Sequence, residues 1–536
     1  MPPRPPVNVD YLSFRESGQF SQRDVAYAEQ DPSLRPFMAH APSLPAFAQA
    51  IEARAAVPTD RRTLIEVLAE QYAGYGAEPP ENLALLTDER TFTVTTAHQA
   101  SLFLGPLYYV YKILSAVALA RQLEEVYPRY AFVPAFVLGA EDHDLEEIDH
   151  LTVAGERVSW STRQTGATGA MSLAEIAPAL ERVDELLGRS TPAREIVGLL
   201  RRCYRPDRTL AVATGHFVAE LFGAYGVVVA NLNHGRLKRS FAPAVRREVL
   251  QQTSRGVIAE TVGALETAGF AQQAHAREIN LFYLAPGRRD RLVPEPGGRI
   301  GVLDGPESWS TEEFERELRE APERFSPNVV MRPLLQETAL PNLAYVGGGG
   351  ELAYWLERKD QFAAFGVPMP VLVRRDSAWW ITAEAGRRLE RLALAPRDLL
   401  GDYHELLARV ARRGSAHDVD FADHLARLRA MHDDIAERAA AVDPTLRKRA
   451  LAHGVRAAQA VEQLEKRLVR TLKKQQADTM ERVADLHRAL LPGGGLQERE
   501  TSFLELYARH GRGLFDTLLE HFDPLDMRLK VFVEQA

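Results

Sequence analysis

The sequence predicts an α/β protein: a core built on a parallel β-sheet with inserted connecting segments, followed by a long antiparallel helical hairpin. Three observations carry this expectation. Near-continuous apolar runs of strand length recur at 130–139, 225–233 and 369–375. A β-rich run, "TFTVTT" at 91–96, reaches the first of them through "LYYVYKILSAVALARQLEEVY", whose apolar residues fall at helical spacing. Beyond residue 386 glycine and strand formers thin out, while Ala, Leu, Arg and Glu dominate. Buried strands joined by helices of this length favour a parallel sheet with right-handed crossovers.

Taken in order, residues 1–90 read as polar turns and amphipathic helices, as in "SLPAFAQAIEARAAV" and "RRTLIEVLAEQYAGYG", a helical segment packed on the core. Residues 91–385 form that core, with four strands at 91–96, 130–139, 225–233 and 369–375, and a β-hairpin in "EINLFYLAPGRRDRLV". Residues 386–495 give the helical region. One helix starts at Asp418. Asp443 then caps a second, with Pro444 at its first position, that runs to about Leu491 and stops at "PGGG". Val461, Leu464, Leu468 and Leu472, then Val483, Leu486 and Leu490, keep a coiled-coil spacing, and dimerisation is the expected use. Residues 496–536 return to the core.

Composition excludes several classes. With 65 basic against 73 acidic residues and net charge −8, no basic surface for nucleic acid is expected. The start, "MPPRPPVNVDYLSF", has no signal-peptide core, and no window approaches a membrane span, so a cytoplasmic enzyme without a membrane partner is expected. The single cysteine, Cys203, allows no internal disulfide or thiolate metal cage, and no Cys–His signature surrounds it.

In an open parallel sheet, ligands bind beyond the carboxyl ends of the strands. The loop "AHQASLFLGP" leaves the first strand there, offering His98, Gln99 and Ser101. Gly105 and Pro106 let the next helix begin, and its free N–H groups suit a phosphate, with Lys112 two turns further in. Neither a P-loop nor a GxGxxG fingerprint is present, and an ordinary polar loop is the alternative. "GAEDHDLEEIDH" leaves the second strand. Asp144 and Glu147 fit a capping box, which accounts for Asp144, Glu146 and Glu147 but not for Glu141, Asp142 and His143. Those three suit general acid–base work or Mg²⁺ near a phosphate. His143 and His150 lack the HExxH spacing, and no tight protein-only metal site is expected.

A third stretch, 325–355, interrupts apolar sequence with Arg332, Gln336, Glu337, Asn342 and Tyr345. Arg332 offers a carboxylate or phosphate clamp, or an internal ion pair with Glu337. Gly347 and Gly348 open a run of four glycines that allows close backbone approach to a ligand, and Glu351 opens the next helix. Gln273, His275 and Asn280 add polar groups near the hairpin.

Together "TAHQASLFLGPLYYVYK", "EDHDLEEIDH", "SPNVVMRPLLQETALPNLAYVGGGGELAYW", "FGVPMPVLVRRDSA" and "PGGGLQERETSFLELYARHG" resemble the BshC family of cysteine ligases, over roughly residues 90–515. The resemblance implies a Rossmann-like core, a coiled coil that mediates dimerisation, and nucleotide binding. It implies amide formation between L-cysteine and the amino group of glucosaminyl-malate, the last step of bacillithiol biosynthesis. Activation of the carboxyl then calls for ATP, with Mg²⁺ at Glu141 or Asp142 as an option. On this reading Ser101, Gly105, Lys112, Gly347 and Gly348 meet the nucleotide, and His143 or Asp144 is the base. Arg332 holds the malate carboxylate, and Gln336, Asn342 and Tyr345 surround the sugar. Two departures bear on the substrate: Ala97-His98-Gln99-Ala100 stands where relatives read "GQQA", and "NLNH" at 231–234 where aspartates are usual. A related thiol product fits as well. The alternatives are a metal-dependent hydrolase or transferase using residues 141–150, and a nucleotide-binding coiled-coil scaffold.

Overall fold

The computed structural model describes residues 4–415 and 419–535. Asp418, the expected start of the first hairpin helix, lies outside the described residues, as do residues 1–3 and 536 at the chain ends. Contacts divide the chain into two units, one of residues up to Trp380 together with Leu496–Gln535, the other Ile381–Gly495. The second unit therefore begins a few residues before the boundary read from composition.

At the centre of the first unit is a five-stranded sheet: β1 (Thr91–Gln99), β2 (Ala131–Gly139), β3 (Val228–Ala230), β4 (Asn342–Gly347) and β5 (Val371–Arg374). The order is β5-β4-β1-β2-β3, and every neighbouring pair is parallel. The four expected strands are present, and α1 (Leu107–Val126) joins β1 to β2 as its spacing predicts. The strand that sequence reasoning missed is β4, which sits beside β1 in the middle of the sheet. Its polar ends disguise it. Asn342 is buried because its carboxamide oxygen accepts from Thr95 Oγ1 at 2.6 Å and its nitrogen donates to Glu337 Oε1 at 2.8 Å. Phe92, Val94, Leu343, Val346, Val371 and Val373 fill one face of the sheet. β2 and β3 lie on one side of β1, β4 and β5 on the other, so the switch in strand order falls between β1 and β4.

The segment 278–293 forms the expected hairpin, Leu281–Ala285 with Arg288–Glu295, inside a five-stranded insertion sheet. The N-terminal segment holds helices Ala46–Ala55 and Arg61–Tyr75, as read. It is not wholly helical: Val7–Ser13 is a strand, antiparallel to Arg528–Glu534, which in turn lies beside Ser377–Ile381.

The second unit contains an antiparallel helical hairpin of α3 (Ala422–Val442) and α4 (Leu446–Gln475), with α5 (Ala477–Leu490) following a break at Gln476. The uninterrupted helix to Leu491 expected from the sequence is thus two helices. Asp443 does not cap α4 directly. Its carboxylate accepts from the N–H of Thr445 at 2.8 Å and shapes the turn before Leu446. Small residues mark the seam: Ala436, Gly454 and Ala458 are buried on the two helices together with Leu425, while Leu464 is 51% exposed. A Cβ on Gly454 would lie 2.7 Å from His432 Cβ, so the helices approach too closely for a side chain there.

Candidate active site

A cleft of about 1280 Å³ opens at the carboxyl ends of β1, β2 and β4, where the switch in strand order predicts a ligand. It gathers His98 and Gln99 from the end of β1, Glu141, Asp142 and His143 from beyond β2, and Gly348 and Glu351 from beyond β4. Arg332 and Gln273 also line it. Three segments far apart in sequence therefore share one wall.

The glycine run has a geometric reason. β4 passes directly into α2 (Gly349–Leu356), with Gly348 at its N-cap. A Cβ at Gly349 would fall 2.1 Å from Asp24 Oδ1, so only glycine admits that carboxylate. Gly348, Gly349 and Gly350 all face the cleft. The first-turn N–H groups of a helix have no intrahelical acceptor, which makes this a place for an anion. Glu351 closes the cap by accepting from Gly348 N–H at 2.8 Å, and it also meets Lys112 Nζ at 2.7 Å and the Tyr345 hydroxyl at 2.6 Å. Burial alone would raise the Glu351 carboxyl, but the Lys112 ammonium and these hydrogen bonds outweigh it and hold the group at about 2. Lys112 is 2% exposed and also donates to the Ala97 carbonyl, so it stands behind the cleft wall rather than reaching a phosphate. Tyr345 and Gly347 likewise sit one layer back.

Three arginines stand around this helix start, two of which sequence reasoning missed. Arg374 pairs with Asp24 at 2.9 Å, and Arg375 with Glu498 at 2.7 Å. The Nε of Arg375 is buried with no partner among the described residues and lies 3.9 Å from the position a Cβ would take at Gly348. Arg332 differs from both. It makes no ion pair among the described residues, with Glu337 or any other carboxylate, and donates to the Tyr354 hydroxyl at 2.6 Å. Asp24, Arg374 and Arg375 were illegible because their relevance comes only from tertiary packing, of residues 14–28 against β5 for the first two and of Glu498 for Arg375.

The acidic segment after β2 is not a helix start. Residues 140–149 form turns that lead into the strand His150–Val153, so the expected capping box at Asp144 and Glu147 does not exist. Glu147 instead accepts from Gln99 Nε2 at 3.0 Å. Glu141 is held by Lys238 Nζ at 2.8 Å, a buried lysine also bound to Asn233. Asp142 accepts from Gln99 Nε2 at 2.7 Å; burial would raise its carboxyl, but Arg289 together with the hydrogen bonds from Gln99 and the His143 N–H outweighs this and keeps it below the usual range. Asp144 does not line the cleft. Among the described residues no cluster of three or more His, Cys, Asp or Glu is suited to a metal, and the donors of Glu141 and Asp142 are already engaged.

Other expected contributors lie elsewhere. The start of α1 is sealed, because Leu107 N–H donates to the Thr501 carbonyl at 2.8 Å and Pro106 bridges Ser502. Ser101 and Gly105 are buried under that seal, away from the cleft. Gln336 and Asn342 serve a buried network around Glu337 at the opposite end of β4. Asn280 Nδ2 donates to Glu248 at 2.6 Å, and His275 is exposed outside the cleft. Cys203 is buried, which pushes its thiol up to about 12 and leaves it unreactive. His98 lies with Nε2 3.1 Å from the Tyr108 hydroxyl, and burial, aided by Lys112, pushes it down to about 3. It is a neutral hydrogen-bonding group.

The sequence matches two family models: "Bacillithiol biosynthesis BshC, N-terminal Rossmann-like domain" over residues 7–376, and the corresponding "C-terminal coiled-coil domain" over 378–534. The second match includes residues 496–534, which pack with the first unit. Among curated proteins, the chain is 35% identical to "Putative cysteine ligase BshC" of Flavobacterium johnsoniae, over 98% of this chain and 99% of the relative. It is 36% identical to the protein of that name from Christiangramia forsetii, over 97% and 98% of the two chains. The protein of that name from Chloroherpeton thalassium is 28% identical, over 96% of each.

Proposed function

The chain belongs to the BshC family of bacillithiol biosynthesis, and from that premise we propose that it joins the carboxyl of L-cysteine to the amino group of glucosaminyl-malate. The observation that carries the reading is Arg332: a guanidinium facing the cleft, beside a free helix start, with no carboxylate of its own. A permanently charged group in such a place calls for an anionic ligand. Arg374 already has its acidic partner, and Arg375 is paired with Glu498 through NH2 while its Nε has no partner among the described residues.

Amide formation from a free carboxylate is uphill in water, so the carboxyl must be activated. ATP would supply this, turning one carboxylate oxygen into a leaving group that departs as phosphate with ADP, or as AMP with pyrophosphate. The first-turn N–H groups of Gly349 and Gly350 and the unpartnered Nε of Arg375 fit phosphate oxygens. Arg332 and Tyr354 fit the malate carboxylate, and Gln99 and Gln273 offer amides to sugar hydroxyls. Mg²⁺ would enter on the phosphates.

A second copy of the chain is the partner the hairpin suits. Its seam uses small residues, which leaves Met431 at 50%, Ile435 at 42% and Leu464 at 51% exposure for another surface to cover. No described helix is long and apolar enough to cross a membrane. The test is direct. Purified protein given cysteine, ATP and glucosaminyl-malate should form a thiol conjugate and release ADP or AMP in equal amount. Absence of turnover with any nucleotide would reject the reading, and stoichiometric Zn²⁺ or Mn²⁺ lost in Asp142→Ala would favour the metal-dependent hydrolase instead.

A further inference from the structure

Building on that reading, we propose that His143 acts as a neutral hydrogen-bond donor to the acyl oxygen, fixed in one tautomer by the positioning residue Arg289, and is not the base.

The argument rests on which groups can donate. Arg289 NH1 lies 2.9 Å from His143 Nδ1. A guanidinium has five donors and no acceptor, so Nδ1 must present its lone pair. A neutral imidazole with Nδ1 unprotonated carries its hydrogen on Nε2. Arg289 has little freedom to move: Nε donates to Ser326 Oγ at 3.1 Å, NH2 to the Pro327 carbonyl at 3.1 Å, and the guanidinium lies 4.0 Å from the Phe282 ring centre. The same Phe282 ring packs 5.5 Å from the imidazole.

The neighbouring charges do not reverse this assignment. Asp142 Oδ1 is 3.5 Å from Nδ1, but it accepts from the backbone N–H of His143 at 2.8 Å, and the other Asp142 oxygen takes Gln99. Glu141 is bound to Lys238. His143 lines the cleft, its side chain is 48% exposed, and Nε2 has no partner among the described residues. The edge of the ring that bears the hydrogen is therefore the unengaged one.

In amide formation this edge has a use. As the amine attacks the acyl carbon, the carbonyl π pair moves onto oxygen, where Nε2–H stabilises the charge. The pair then reforms the carbonyl as the bond to the phosphoryl or adenylyl oxygen breaks and that group leaves with its electrons. The proton lost by the amine passes to water in the cleft. ATP is the co-reactant that supplied the leaving group.

Two measurements test this. In protein labelled with ¹⁵N-histidine, long-range proton–nitrogen correlation, assigned through His143→Gln, should show Nδ1 unprotonated and Nε2 protonated at neutral pH. A proton on Nδ1, or an imidazolium, overturns the proposal, and this holds even if the chain forms no amide. The kinetic arm uses Gln as an isostere that can accept from Arg289 and still donate. His143→Gln should stay within about 10-fold of the parent in kcat, while His143→Ala loses about 100-fold. Equal losses in Gln and Ala would return His143 to the role of base. Arg289→Met should lower kcat more than it raises KM and mix the two tautomers, and an unchanged spectrum there would remove Arg289 from the argument. Lack of turnover by the unaltered protein would instead reject the ligase reading.

Discussion

In the α/β unit the cations near the cleft are buried against carboxylates, whereas in the helical unit they lie in water. Arg375 and Glu498 are 5% and 0% exposed, and Lys112 is 2% exposed against Glu351. In the hairpin, Arg438 and Asp434 are 80% and 61% exposed, and Arg447 and Glu437 are 56% and 65% exposed. The contrast separates two uses of charge. Pairs out of water are costly to assemble but hold their geometry, which a reaction site needs. Pairs in water add little energy and keep a long amphipathic surface soluble. Arg332 and Arg23 line the cleft without an ion-pair partner among the described residues, and Arg332, beside the helix start, is the one that points to a ligand.

The contrast can be broken at either end. Glu498→Gln leaves Arg375 buried without its partner, and urea unfolding should report a loss of about 3–5 kcal/mol. Arg332→Met should keep the fold yet lower kcat/KM for conjugate formation by about 100- to 1000-fold, measured by product mass. The third prediction concerns Glu337, buried at the far end of β4, whose carboxyl burial raises from 4.5 to about 7. A carboxyl raised on folding stabilises the protein while protonated. Stability should therefore fall as pH rises from about 4.5 to about 7, by on the order of 3 kcal/mol. Glu337→Gln should flatten that slope in pH-dependent melting curves.

The hairpin should respond differently. Ile435→Glu puts a charge on the surface assigned to a second copy and should weaken association about 10- to 100-fold by light scattering, with melting of the α/β unit unchanged. Last, Glu462→Gln removes the partner of Arg429, a 3.3 Å pair with 63% and 40% exposure, and should cost no more than about 0.5 kcal/mol. A larger loss there would erase the distinction between the two units.

Much of the fold was legible because burial writes itself into local pattern. β2 is an unbroken apolar run, and α1 keeps helical spacing over its length. β4 escaped because Asn342 and Gly347 mark its ends with residues that usually signal loops, and the network around Glu337 is not visible in sequence. The hairpin seam was misplaced for the opposite reason. Leucines suggested the contact face, but close approach at Gly454 selects small residues, and Leu464 turns outward. For the cleft, the loops after β1 and β2 were readable from the rule that ligands bind at carboxyl ends, and the segment after β4 only from its glycine run. What each side chain does there was not. Lys112, Glu141 and Asp144 carry the right chemistry, yet the first two are tied to partners and the third lies outside the cleft. Asp24 and Arg374 meet across roughly 350 residues, and nothing local marks either.

The pairing of Val7–Ser13 with Arg528–Glu534, and the cover that Thr501 places over Leu107, set an order of events during synthesis. On the ribosome, the first strand must wait until Arg528–Glu534 has been made before its neighbour exists. The helical arm emerges earlier and can coil on local contacts alone, while a nascent chain cut short before residue 501 would leave the foot of α1 open to water.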